Sequence, residues 1–232
     1  MNIGGEMTLM DVQANLVHIQ NDIEDICKQV GRDSSEITII AVTKYVTIER
    51  TEEAIRAGIT HIGENRAEQF IEKKQNIHEE ATWHFIGTLQ SRKVKDIVHE
   101  VDMIHSLDRI SVANQIERRA TEAVDCFIQV NVSGEESKHG LQPNEVEDFI
   151  DELSSYEKVR IVGLMTMAPH VEDEAVIRQT FQQLAQLRDT IQAKQEPHAP
   201  CNYLSMGMSN DYKIAIEEGA THIRIGSKLV GS

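Results

Sequence analysis

Eight short runs of apolar and β-branched residues recur along the 232-residue chain, and polar-faced segments with helical periodicity follow most of them. The runs cover residues 38–44, 61–63, 83–87, 103–106, 126–132, 160–167, 202–206 and 221–225. The helical segments include residues 49–57, 66–76, 112–122, 145–154 and 175–193. Strands that alternate with helices predict βαβ units and a parallel sheet. Eight units favour a closed α/β barrel of the TIM (β/α)8 type over an open doubly wound sheet, whose G-x-G-x-x-G fingerprint is absent.

A separate helix is predicted ahead of the first strand. Apolar residues recur there at the three- and four-residue spacing of one helix face: Leu9, Val12, Leu16, Ile19, Ile23 and Ile26. Gly31 follows at a position typical of a helix C-terminus. No linker or low-complexity tract divides the chain, and its length suits one barrel. We therefore expect one barrel domain over residues 1–232, in which residues 1–35 form an N-terminal helix that packs on the barrel.

The chain is strongly acidic, with a formal net charge of −15. This charge repels the phosphates of nucleic acids and the surfaces of anionic membranes. The densest basic run, residues 91–95, is short and is interpreted as the solvated start of a helix. No apolar stretch approaches the length of about eighteen residues that would span a bilayer. We therefore expect neither a nucleic acid nor a membrane as a partner.

The three cysteines, Cys27, Cys126 and Cys201, are far apart in the sequence and form no C-x-x-C pair. Their odd number and wide spacing argue against a disulfide framework and against a zinc ribbon. The zinc-binding pattern HExxH is also missing. The first residues lack the basic patch and apolar stretch of a secretory signal peptide. We expect a cytoplasmic protein without a metal site.

Six of the predicted strands end in small, polar or cationic residues, where a packed core would favour Val or Leu. In a parallel barrel the carboxyl ends of the strands line the active face. The residues are Thr43-Lys44, Glu64-Asn65, Gly87-Thr88, 165–168, 205–209 and 224–227. Their clustering predicts a functional site at the mouth of the barrel.

Lys44 closes the apolar run of the first predicted strand. A lysine that emerges from such a run into a barrel mouth is partly desolvated, which favours its neutral, nucleophilic amine. Schiff-base chemistry with an aldehyde requires this form of the amine. The alternative is a lysine that extends to solvent at a strand end and has no chemical role.

The seventh and eighth strand ends have the composition of a phosphate site. Barrels commonly bind phosphate with the loops after these two strands and a helix N-terminus. The first turn offers hydroxyls and lets the backbone approach a ligand closely. Asp211 is placed to cap a predicted helix that follows this turn and extends through Gly219. The residues are Ser205, Gly207 and Ser209 in the first turn, and Gly226 and Ser227 in the second. The alternative is that both turns are rich in glycine and serine for flexibility alone.

Arg224 alternates with Ile223 and Ile225 in the last predicted strand, so its side chain is expected to point inward. An unpaired charge inside a barrel is costly. Two explanations stay open: an ion pair with a barrel carboxylate such as Glu64, or a contact with a ligand. His84, on the third predicted strand, is interpreted as a core histidine with satisfied hydrogen bonds.

Seven stretches form an ordered set along the chain. They are AVTK at 41–44, GENR at 63–66, WHFIGTLQ at 83–90, QVN at 129–131, GLMTMAP at 163–169, LSMGMS at 204–209 and IRIG at 223–226. This set resembles the pyridoxal-phosphate homeostasis proteins, which are similar to the N-terminal barrel domain of alanine racemases. The resemblance covers nearly the whole chain after about Ile37. It implies the alanine racemase barrel fold and pyridoxal 5′-phosphate (PLP) as the cofactor.

The resemblance also implies which residues contact the cofactor, and it implies no catalytic residue. The expected contacts are a Schiff base on Lys44, Asn65 beside the cofactor, Arg224 at the pyridine nitrogen, and Ser209, Gly226, Ser227 and Ser205 around the phosphate.

A fixed cation such as Arg224 beside the pyridine nitrogen leaves the ring neutral, and a neutral ring is a poor electron sink for a carbanion. Alanine racemases share this arginine but add a tyrosine base from a second domain, and we expect no such domain after the eighth strand. None of the four tyrosines, Tyr45, Tyr156, Tyr203 and Tyr212, is identified as that base. An efficient two-base racemase is therefore not expected.

The resemblance thus implies a protein of intracellular PLP homeostasis, which stores and supplies the cofactor reversibly and controls free PLP without efficient turnover. Its implied partners are PLP and the apo forms of PLP-dependent enzymes, and we expect a monomer. Two alternatives stay open. One is a weak PLP-dependent amino-acid racemase, and the other is a phosphosugar aldolase in which Lys44 attacks the substrate directly.

Overall fold

The computed structural model describes residues 11–135 and 138–231, and eight parallel strands within them close into one barrel. Each strand pairs with the next one in the sequence, and β8 pairs with β1. The strands are β1 Thr38–Val42, β2 His61–Glu64, β3 Thr82–Phe85, β4 Met103–Leu107, β5 Val124–Gln129, β6 Val159–Met165, β7 Tyr203–Met208 and β8 His222–Ile225. The predicted α/β barrel is confirmed, and each predicted run overlaps one of these strands.

Within the described ranges, eight α-helices precede or connect the strands. They are α1 Val12–Val30, α2 Ile48–Arg56, α3 Ala67–Asn76, α4 Val94–Ile97, α5 Ile110–Arg119, α6 Val146–Glu152, α7 Glu174–Gln192 and α8 Tyr212–Glu217. The basic run does start a helix, because the 3-10 turn Ser91–Lys93 leads directly into α4. None of the helices described is long and apolar enough to cross a bilayer.

The first helix packs against the last one. Asp11 caps α1 by accepting hydrogen bonds from two backbone N–H groups of its first turn, and Gly31 ends it in a left-handed conformation with φ 72°. Tyr212 of α8 donates a hydrogen bond of 2.5 Å to Asp22. Leu9, like the other residues before Asp11, lies outside the described residues. The buried face of α1 consists of Val12, Leu16, Ile19, Ile23, Ile26 and Cys27.

The pairing of β1 with β8 decides which side chains meet at the mouth. Ile40 lies opposite Arg224, so Lys44, which follows β1, leaves the barrel beside the end of β8. On the other side, the N–H of Thr43 donates to the carbonyl of Gly63 in β2 at 3.1 Å. The carboxyl ends of β8, β1 and β2 therefore lie side by side.

Gly207 lets β7 approach α8 closely. Its φ is +93°, which residues with a side chain rarely adopt, and a Cβ there would lie 2.6 Å from the Cβ of Ala215 in α8. The register between β7 and β8 shifts in the same place, between Ser205 and Met208. The turn predicted to hold phosphate therefore begins at a point where only glycine fits without rearrangement.

We expect Gly207→Ala to lower the free energy of unfolding by about 2–4 kcal/mol, because strain at positive φ adds to overpacking against α8. Gly31→Ala is the matched control. It has a similar φ of +72° but no atom within 4 Å of the new Cβ, so about 1 kcal/mol is expected there. Urea unfolding followed by circular dichroism measures both losses. Equal losses would show that the close approach to α8 has no energetic weight.

Candidate functional site

Lys44 leaves β1 at the mouth as a half-buried side chain. Its Nζ lies 4.9 Å from the ring centroid of Tyr45, a cation–π contact, and Tyr45 itself is 67% exposed. Within residues 11–135 and 138–231, no carboxylate forms an ion pair with Lys44. The amine is therefore presented at the mouth without an anionic partner from the part of the chain that the structure describes.

A buried ion pair supports the strand end that carries Lys44. Lys73 of α3 donates to Oε1 of Glu64 at 2.6 Å and to the backbone carbonyl of Thr43 at 2.5 Å. The Thr43 hydroxyl donates to the same Oε1 at 2.5 Å. Both charged side chains are almost completely buried, with 6% and 0% of their surface exposed. This cluster fixes the ends of β1 and β2 relative to each other.

Arg224 lies in β8 with 5% of its surface exposed. Its guanidinium donates to the Ser205 hydroxyl at 2.5 Å and to the backbone carbonyl of Thr166 at 2.9 Å. Burial lowers the pKa of Arg224 to about 10, against the attraction of Asp211. The group stays positively charged at neutral pH, and its hydrogen-bond partners are neutral oxygens. The possible ion pair with Glu64 is not formed.

Asp211 holds the turn after β7 and does not cap α8. Its carboxylate accepts a hydrogen bond of 2.5 Å from the N–H of Met208, and its own N–H donates to the Met208 carbonyl at 3.1 Å. The predicted cap of a helix through Gly219 is wrong, because the Asp211 side chain makes no cap bond and α8 ends at Glu217. Burial raises the pKa of Asp211, while the Met208 N–H and Arg224 oppose that rise.

The remaining residues predicted to contact the cofactor lie at the ends of the same strands. Ser209 is 9% exposed in the turn after β7. Gly226 accepts two backbone N–H groups of the turn after β8, and Ser227 next to it is exposed. Asn65 follows β2, and its Oδ1 is buried but receives no hydrogen bond within the described part of the chain. An acceptor without a donor marks a place where the protein leaves a polar group for something else to satisfy.

A chain of hydrogen bonds runs from Arg224 through the barrel interior, and it was not predicted. The Ser205 hydroxyl, which accepts from Arg224, lies 2.8 Å from Nδ1 of His105. Nε2 of His105 lies 2.8 Å from Nδ1 of His84, and Nε2 of His84 lies 2.8 Å from Nδ1 of His61. His84 and His105 are fully buried, so the prediction that His84 is a satisfied core histidine is confirmed.

The buried histidines of the interior are neutral at pH 7. Burial lowers the pKa of His84 and His105 well below its usual range, and the neighbouring imidazoles add to this effect. Burial also lowers the pKa of His61 and brings that of His222 to about 3. The sequence carries a signal for this cluster, since histidines recur in β2, β3 and β4, but only the strand register brings their rings together.

The family model for the N-terminal domain of alanine racemase matches residues 15–232. The closed barrel and its polar mouth thus define a protein of the alanine racemase N-terminal domain class. A pyridoxal phosphate homeostasis protein of Aquifex aeolicus is 37% identical over 226 residues, which are 96% of this chain and 98% of that protein. The chain therefore belongs to the family of pyridoxal phosphate homeostasis proteins.

Solved structures similar to this chain include the following two. A protein of unknown function from Bifidobacterium adolescentis matches with a TM-score of 0.89 and 34% identity, over 94% of each chain. PipY of Synechococcus elongatus, solved with PLP bound, matches with a TM-score of 0.79 and 31% identity. That match covers 90% of this chain and all of PipY.

We expect the free energy of unfolding to fall as the pH drops below about 6.5, because unfolded histidines bind protons that the buried neutral rings cannot. The pKa of His222 in the folded protein is about 3. Its contribution to the free energy of unfolding is therefore complete above pH 6.5 and is lost progressively as the pH falls from 6.5 to about 3. His222→Leu should reduce the slope near pH 5 by about 1.4 kcal/mol per pH unit. The control His99→Leu changes an exposed histidine. Urea unfolding at pH 5, 6 and 7 measures the slopes, and identical slopes for wild type and His222→Leu would contradict this account.

We expect Lys73→Met to lower the free energy of unfolding by about 3–5 kcal/mol, because it leaves the Glu64 carboxylate buried without its cation. The control Lys93→Met breaks an exposed ion pair of 2.7 Å with Glu68 and should have little effect. The double variant Glu64→Gln/Lys73→Met removes both charges and should recover part of the loss. Urea unfolding measures all three variants. A loss for Lys73→Met no larger than that of the control would refute the assigned weight of the buried pair.

Proposed function

We propose that this protein binds PLP reversibly through a Schiff base on Lys44 and thereby takes part in intracellular PLP homeostasis. The observation that carries the proposal is a half-buried lysine amine at the barrel mouth, with no carboxylate partner in the described residues. When bound, PLP supplies the aldehyde that condenses with such an amine. PipY, 31% identical and solved with PLP bound, supports the assignment.

The other side chains at the mouth fit the rest of this cofactor. The hydroxyls of Ser209 and Ser227 and the turn at Gly226 offer donors for a phosphate. The buried Oδ1 of Asn65, which no donor of the described residues reaches, suits a site that is completed by a ligand. Ser205 acts through Arg224, because its hydroxyl is already bonded to that guanidinium.

Arg224 favours holding the cofactor over turning it over. A guanidinium only donates hydrogen bonds and keeps its protons. Next to the pyridine nitrogen of bound PLP, it would therefore leave the ring neutral and poor at stabilising a carbanion. Ser205 and Thr166 hold it in one orientation, so this property is built into the barrel. We therefore propose storage and supply of PLP and no efficient catalytic turnover.

The positions of the tyrosines agree with a non-catalytic role. A racemase needs a second acid–base group poised at the site. Of the four tyrosines, Tyr45 contacts Lys44, and it is 67% exposed to solvent. The others make contacts elsewhere: Tyr156 donates to Asn114, Tyr212 donates to Asp22, and Tyr203 packs on His222.

The proposal extends to the setting in which the protein works. We propose that it acts in the cytoplasm as a monomer and passes PLP to the apo forms of PLP-dependent enzymes. The barrel and the N-terminal helix would act as one PLP-binding domain, as the bond from Tyr212 of α8 to Asp22 of α1 supports. A net charge of −15 disfavours nucleic acids and anionic membranes as partners.

The test is covalent capture of PLP by purified protein. Mixing with PLP, reducing with borohydride and mass spectrometry of the peptides should show one adduct, on Lys44, and Lys44→Ala should abolish it. Lys158→Ala is the control, since Lys158 precedes β6 at the opposite end of the barrel and donates to Thr121 at 3.0 Å. An adduct that survives Lys44→Ala at full yield would overturn the assignment of the lysine. No adduct on the wild type, with capture of a sugar phosphate in its place, would favour an aldolase.

A second experiment separates storage from turnover. The PLP-loaded protein is incubated with L-alanine, and the D-enantiomer is measured over many hours, with a PLP-dependent racemase as the positive control. We expect no conversion above that of free PLP. Sustained conversion at many turnovers per protein molecule, lost in Lys44→Ala, would replace the storage role with a racemase.

A further inference from the structure

The hydrogen-bonded histidines connect through Ser205 to Arg224, the residue that the proposed function places beside the pyridine nitrogen. Arg224 donates to Ser205, and from Ser205 three imidazoles continue the chain across β4, β3 and β2. PLP binding at the mouth requires none of these rings as a ligand. We propose that His105, His84 and His61 are positioning residues, which orient the Ser205 hydroxyl and through it the Arg224 guanidinium. For its effect on PLP this inference rests on the proposed function.

Because the three rings are neutral, all the hydrogen bonds between them must run in the same direction. A neutral imidazole has one N–H donor and one lone-pair nitrogen, so each nitrogen–nitrogen contact needs one of each. If His105 carries its proton on Nε2, it donates to Nδ1 of His84, which must then donate from Nε2 to His61. If His105 carries its proton on Nδ1, His84 and His61 must also carry theirs on Nδ1. All three histidines therefore share one tautomer.

Ser205 decides which of the two tautomers is present. Its hydroxyl already accepts from Arg224, and it has one proton to donate. Within the described residues, the only acceptor at hydrogen-bonding distance for this proton is Nδ1 of His105, which lies 2.8 Å from the Ser205 hydroxyl. Ser205 is fully buried, so a proton without an acceptor would be costly. Ser205 therefore donates to His105, and all three rings carry their proton on Nε2.

Packing holds the first ring of the chain in place. The His105 ring stacks on Phe127 with centroids 4.2 Å apart and planes inclined by 21°. With its acceptor nitrogen fixed, the Ser205 proton points to His105 and a lone pair points to Arg224. Removing the acceptor frees the hydroxyl to rotate, and the buried guanidinium loses a stable partner.

The first test needs neither a variant nor a ligand. Nitrogen-15 NMR of the histidine side chains in the PLP-free wild type distinguishes Nε2–H, Nδ1–H and doubly protonated rings. At pH 7 we expect His61, His84 and His105 all in the Nε2–H form, and the Arg224 guanidinium nitrogens resolved by restricted rotation. A mixture of tautomers among the three, or the Nδ1–H form, would overturn the inference.

The second test removes the acceptor from Ser205. His105→Leu should average the Arg224 guanidinium signals and weaken PLP binding about tenfold, as expected for one lost hydrogen bond to a charged network. His105→Gln should restore most of the affinity, because its amide can accept from Ser205 and donate to His84. His222→Leu is the matched control, since His222 is 4% exposed in the same interior and bonds to Thr221 at 2.9 Å.

The outcomes separate the inference from the proposed function. If the folded His105→Leu keeps resolved Arg224 signals, or if His222→Leu perturbs them equally, the positioning role is wrong whether or not PLP binds. If the wild type fails to bind PLP, the proposed function fails, while the tautomers and the Arg224 signals of the PLP-free protein still decide the inference. Folding of each variant is checked by circular dichroism before either measurement.

Discussion

A guanidinium buried inside a barrel must find hydrogen-bond partners there, and much of this structure follows from that requirement. Arg224 is 5% exposed and donates to Ser205 in β7 and to Thr166, the residue after β6. Because no carboxylate among residues 11–135 and 138–231 neutralises it by direct contact, its charge remains available at the mouth. Burial lowers its pKa only to about 10, so the charge persists at any physiological pH. One satisfied but unneutralised cation thus gives the site its electrostatic character.

Lys73, the second buried cation near the mouth, differs from Arg224 because a carboxylate neutralises it directly. Lys73 is neutralised by Glu64 at 2.6 Å and also bonds the backbone of Thr43, so its charge serves the frame of the barrel. Lys44 follows Thr43 directly, and its amine contacts the Tyr45 ring and pairs with no carboxylate of the described residues. The three cations therefore differ in their surroundings: Lys73 is neutralised by Glu64, Arg224 donates to neutral oxygens, and Lys44 carries the proposed Schiff base.

The barrel itself could be predicted because alternating strands and helices leave a strong periodic signal, and each predicted run overlaps a strand. The ends of those strands also made Lys44 and Arg224 candidates for the site, since charge in an apolar run is conspicuous. The partners could not be predicted, because they depend on register and on elements distant in sequence. Lys73 reaches Glu64 from a helix, and Asp211 turns back to Met208 instead of capping α8.

The strand register brings the three histidines into one hydrogen-bonded network, and the position of that network explains why polar rings are kept inside the barrel. An aliphatic interior would avoid the desolvation of polar rings, and buried polar networks are often replaceable by apolar residues without loss of stability. This network is instead satisfied at every step between His61 and Arg224, at distances of 2.8 Å or less. A hydrogen-bonded network that costs desolvation and ends at the buried Arg224 guanidinium has its advantage in orientation. The interior of the barrel therefore belongs to the site as much as its mouth does.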